Sequence, residues 1–162
     1  MKELRWAMAA FRVAMGVTFL SPVADRFGLW GPPGAPNVSW GNWDRFVAYS
    51  TRLNWYLPDA LQQTVAALAT AGELMFAVAL IAGIYTRLAA YGAASLLTCF
   101  ALAMATGLGI RSPLDYSVFV AAAGAWLLAA AIPYDSPVAT WRHQGTSKRR
   151  LARSAAAGAR TE

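Results

Sequence analysis

The fold class the sequence predicts is all-α: an integral membrane bundle of four transmembrane helices. Three observations predict it. Hydrophobic residues make up 57% of the 162 positions and charged residues only 14%, more apolar surface than a soluble core of this size hides. The apolar residues gather in long blocks nearly free of charge, not dispersed at helical or strand period. Each block also reaches the roughly 17–25 residues that a helix needs to cross a bilayer.

The first block, residues 6–23, follows Lys2 and Arg5 and resembles a signal peptide, but Arg12 interrupts it and Asp25-Arg26-Phe27 stands where a small-residue cleavage site belongs. It is read as an uncleaved first span. The second, 63–85, carries one charge, Glu73; the third, 88–110, carries none; the fourth, 116–132, stops at Pro133. Thr86-Arg87 leaves almost no loop between the second and third spans, which makes them antiparallel neighbours. The four spans form one domain, residues 1–141.

The connection 24–62 is too long for an idle turn. It opens on Trp30-Gly31-Pro32-Pro33-Gly34 and offers Ser39 or Asn42 as a helix N-cap. From there Phe46, Val47, Leu53 and Leu57 recur on one helical face, predicting a helix over 43–57 that lies flat on the membrane. Trp30, Trp40, Trp43 and Trp55 all fall in this connection. Tryptophan settles at the headgroup level, so anchoring is their plain reading; a second reading is an aromatic cap closing a pocket for a flat lipophilic ring such as a quinone.

Lys2, Arg5, Arg87 and Arg142 fall on one side of the predicted spans, with Lys148, Arg149, Arg150, Arg153 and Arg160 in the tail. The positive-inside rule then puts both termini in the cytoplasm and the protein in the inner, cytoplasmic membrane as a multi-pass chain. The net charge of +6 arises largely from residues 142–162, a basic stretch with the composition of a disordered tail. No folded basic module stands behind it, so no nucleic-acid partner is expected. The single cysteine, Cys99, excludes an intramolecular disulfide and reads as a small buried hydrophobe.

Glu73 is the most informative residue, because an ionised carboxylate near the bilayer centre must be paired, protonated or hydrated. Its neighbours three, four and seven positions away are Ala66, Ala69, Thr70, Phe76 and Ala77, a face small enough for a second helix to approach. Arg12, inside the first span, is its natural counter-charge. Such a pair either fixes helix register or holds the polar head of a ligand, and the residues leave both open. A second cluster, Asp25, Arg26, Arg111 and Asp115 with Trp30 beside it, reads as a solvated salt-bridged outer rim or a secondary site. With one histidine, His143, no cysteine cluster and no nucleotide loop, the sequence holds no pattern for a tightly bound metal or cofactor.

In their order and spacing, Arg12 and Gly16 in the first span, Glu73 in the second, Gly83 to Arg87 at its end and Ser112-Pro113-Leu114-Asp115 before the fourth resemble the DoxX family. These are small four-helix bacterial membrane proteins related to the quinone-reducing thiosulfate oxidoreductase subunits. The tryptophan-rich connection, with Ala24-Asp25-Arg26-Phe27-Gly28-Leu29-Trp30-Gly31, departs from the family pattern. The resemblance implies a membrane subunit of a quinone-linked or thiol-stress redox system, with quinone as lipophilic ligand, the bilayer as environment and a soluble or membrane redox protein as partner. It does not imply that the chain itself is catalytic. The residues alone admit two other classes: a small-molecule or proton-coupled carrier, for which an intramembrane carboxylate is also expected, and a scaffold that recruits a soluble enzyme.

Overall fold

The computed structural model describes residues 2–132, in which all regular structure is helical. Three helices are long and apolar enough to cross a membrane: α1 (Lys2–Arg26), α3 (Asp59–Ala82) and α4 (Thr86–Leu108). Two shorter ones, α2 (Trp43–Leu53) and α5 (Arg111–Asp115), precede α3 and follow α4, and α6 (Val118–Ala131) closes the described chain. With Leu68, Met75, Val78, Leu88, Leu102, Val120 and Leu127 all exposed on these helices, the molecule presents the outward apolar face of a membrane protein. The expected tail, residues 142–162, and His143 lie outside the described residues.

The helices pack in the order α1, α3, α4, α6, and α1 also touches α6. Their shared core is built largely from alanine: Ala77, Ala89, Ala90, Ala93, Ala94, Ala125 and Ala129, with Met15, Phe19, Leu80 and Leu128 filling between them. Small side chains let backbones approach, which is how helices gain packing where lipid removes the hydrophobic drive to associate. Gly16 of α1 lies against Ile81 and the Ala77 carbonyl of α3, where a Cβ would not fit without a shift.

Several expected boundaries shifted for local reasons. The first span, expected over 6–23, runs on through Asp25 and Arg26, because both charges find partners inside the protein. The helix expected over 43–57 begins where Asn42 accepts the Arg45 N–H at 2.9 Å, and ends at Leu53. There Asn54 turns its backbone N–H to the Ser50 carbonyl, and Pro58 follows. Helix α3 stops at Gly83, whose left-handed φ of 74° suits glycine and strains other residues. The expected span 116–132 is shorter than anticipated: Ser117, at φ 55°, breaks the chain between α5 and α6 and leaves α6 with 14 residues. Cys99, expected to be buried, is exposed on α4.

Candidate functional site

Glu73 points into the bundle, on the α3 face shared by Ala66, Thr70, Ala77 and Leu80. Its ion-pair partner is Arg26 and not the expected Arg12. The reason is register. Gly16 against Ala77 and Ile81, and the Arg12 guanidinium against Gly83, fix α1 and α3 as antiparallel, with position 22 level with Glu73. Arg12 is then about ten residues, roughly 15 Å, too far along the axis, whereas Arg26 overshoots by about 6 Å, within an arginine's reach. Arg12 instead packs on the glycine that ends α3, with its Nε buried and lacking a hydrogen-bond acceptor.

Arg26 is 3% exposed and enclosed by contacts from three elements. Its Nη1 donates to the Glu73 carboxylate and, at 2.6 Å, to the Thr70 hydroxyl. Thr70 in turn donates to the Ala66 carbonyl at 2.9 Å, so the hydroxyl both accepts and donates. Above the guanidinium lies the Phe46 ring of α2, 3.7 Å from ring centroid to Cζ, and beyond it the Trp40 ring at 5.5 Å. Trp40 stacks edge-on against Phe46 and touches Tyr49. Burial first, and the Tyr116 phenol second, raise the Tyr49 phenol above its usual range, so it is neutral at physiological pH.

Asp25 is also buried, but it serves a different group. Its Oδ2 accepts the backbone N–H of Ser39 at 3.1 Å and of Trp40 at 2.8 Å, tying the middle of the connection to the last turn of α1. Its Oδ1 is buried without a hydrogen-bond donor. Trp30, largely exposed, donates its Nε1–H to the Ser21 carbonyl at 3.0 Å. Between these groups opens a cavity of about 470 Å³ bounded by Ser21, Pro22, Asp25, Trp30, Asn37, Ser39 and Trp40, among others. A smaller apolar cavity, about 170 Å³, lies between α1, α4 and α6 against Phe11, Met15, Phe19 and Leu97.

The expected rim therefore divides. Arg111 and Asp115 pair with each other at 3.1 Å, one turn apart and exposed, as a solvated pair worth little. Asp25 and Arg26 do not join them: both are interior. Sequence reasoning did not place Thr70 and Phe46 against the ion pair, and it had Trp40 only as one tryptophan of an aromatic cap. Thr70 had a signal, a hydroxyl one turn before an intramembrane glutamate; the placement of the aromatics depends on how the connection folds back. Among the described residues no group of three metal-ligating side chains assembles. Comparison with protein-family models, with curated proteins and with solved structures returned no match.

Proposed function

We propose that this chain is a quinone-binding membrane subunit of a redox system, crossing the inner membrane four times with both termini in the cytoplasm and the 27–58 connection outside. The single observation that carries this reading is the cavity of about 470 Å³ lined by Trp30 and Trp40 together with Asp25, the residue next to Arg26 of the Arg26–Glu73 pair. Pockets for small ring ligands are of this size and combine aromatic walls with a few fixed polar groups. The resemblance of Arg12, Gly16, Glu73 and the Gly83 to Arg87 segment to the DoxX pattern supports the same class. As fourth crossing, α6 covers only about 21 Å of a roughly 30 Å hydrocarbon layer, a mismatch that local thinning accommodates. A carrier would need a carboxylate at liberty to exchange its proton, and Glu73 is held by Arg26.

Purification in mild detergent followed by lipid extraction tests the reading directly. Quinone is expected to copurify, and a short-chain quinone such as duroquinone is expected to quench tryptophan fluorescence saturably, with quenching weakened in Trp40→Leu. Absence of quinone from the extract together with linear, non-saturating quenching would overturn it.

A further inference from the structure

We propose that Arg12 and the glycine turn that ends α3 form a binding site for the phosphate of an anionic phospholipid, at the opposite end of the bundle from the cavity lined by Trp30 and Trp40. Such a site is independent of any quinone and requires only the bilayer.

Arg12 lies in the first half of α1, six residues inside the exposed Trp6, roughly 9 Å along the axis. Tryptophan marks the headgroup level, and an arginine at that depth turns its long side chain back towards it. The guanidinium lands against Gly83, where α3 ends just before α4 begins at Thr86, and a Cβ there would collide with it. No protein anion waits for it. Within the described residues Arg12 makes no ion pair and no hydrogen bond. Glu3 is the one acid among them at this end, and nine residues before Arg12 it falls on the opposite face of α1. Glu73, ten residues from Gly83, is held by Arg26. The Arg12 Nε is closed to any ligand. Its two Nη nitrogens are not: neither donates within the described residues and neither is buried, so both keep accessible surface.

A cation held at the membrane boundary without a protein partner takes its anion from the bilayer. A guanidinium offered end-on through its Nη groups fits the paired oxygens of a phosphate. The charge around the site selects which phosphate. Arg5, exposed and seven residues earlier on the same face of α1, stands roughly 10 Å nearer the water, and Arg87 lies in the first turn of α4 at the same end. Phosphatidylcholine covers its phosphate with an ammonium group, which would meet these cations. Phosphatidylglycerol carries a neutral glycerol in that place and keeps its negative charge, and basic pockets between spanning helices are where anionic headgroups bind. Ile84 and Leu88, exposed on either side of the start of α4, offer the acyl chains an apolar flank.

Thermal unfolding of the detergent-solubilised full chain, titrated with dioleoyl phosphatidylglycerol, with dioleoyl phosphatidylcholine or with inorganic phosphate alone, tests the site. Phosphatidylglycerol is expected to raise Tm saturably by roughly 5 °C, phosphatidylcholine by less than half as much, and phosphate alone not at all. Arg12→Gln is expected to lose the rise while its Tm without lipid stays at or above that of wild type, since the change removes a cation that has no partner in the protein. Equal rises from the two lipids would overturn the choice of an anionic headgroup, and a full rise from phosphate alone would assign the site to the free anion instead. An undiminished lipid response in Arg12→Gln would remove Arg12 from the site and overturn the proposal. Should that variant not fold, photo-crosslinking of wild type with a phosphatidylglycerol bearing a diazirine near its headgroup decides: adducts concentrated between Arg5 and Arg12 and between Ile81 and Leu88 support the site, and adducts spread evenly over the spans overturn it.

Discussion

Breaking the Arg26–Glu73 pair from one side should damage the protein far more than replacing both partners. Arg26→Met removes the cation and leaves the Glu73 carboxylate, on a residue itself 3% exposed, without its counter-charge. Losing one partner of a buried pair costs about 3–5 kcal/mol. The same change removes the guanidinium from the face of Phe46, a contact worth up to about 2 kcal/mol when desolvated, which the methionine thioether partly restores. Glu73→Leu should be nearly as harmful, since it strands the guanidinium with only Thr70 to accept from it. The double variant leaves neither charge behind and is expected near wild type, because a well-packed apolar replacement of a buried pair is often neutral. For a chain of this size the single changes correspond to a fall in Tm on the order of 10 °C. Thermal unfolding of the four proteins in one detergent gives the coupling, and Arg12→Met paired with Glu73→Leu supplies the control. Additive losses for Arg26 with Glu73, or a large coupling of Glu73 to Arg12, would refute the pairing and with it the register of α1 against α3.

Gly83→Ala should destabilise by about 1–2 kcal/mol, because φ is 74° there and the left-handed region penalises a Cβ; the new methyl also meets the Arg12 guanidinium. Thermal unfolding reads the loss, and a neutral result would show that the turn relaxes. Cys99, exposed in the middle of α4, should react in membranes with a lipid-soluble maleimide and not with a charged one; rapid charged-reagent labelling would place that face in water. An alkaline phosphatase fusion at the C-terminus should be inactive and one inserted in the 27–58 connection active, with the opposite pattern reversing the orientation.

The helical architecture was legible because lipid imposes a simple rule: backbone polar groups must be satisfied within the segment, so long apolar blocks become helices. Glu73 was legible for the same reason, since an ionisable group in such a block has to face protein. The break at Ser117 was not, because a left-handed serine between two short helical segments leaves no mark in composition. Nor was the exposure of Cys99, as an apolar residue carries no mark of whether it faces lipid or a neighbouring helix, and α4 is apolar all round.

The pairing error is the more instructive one. A charge-free window ends the first span at Val23, so Asp25 and Arg26 look like residues already in water, and Arg12 is left as the only cation within the hydrocarbon. That inference assumes that the end of a helix is its exit into solvent. Here the 27–58 connection returns over the end of α1: Asp25 receives the N–H groups of Ser39 and Trp40, and Phe46 of α2 covers the guanidinium. Burial at the helix end is therefore created by the connection, about twenty residues later in the chain for Phe46, and no window centred on the helix contains it. The register itself comes from the packing: Gly16 lies against Ile81 and the Ala77 carbonyl, and at 1.5 Å per residue that opposition leaves Arg26 as the arginine within reach of Glu73.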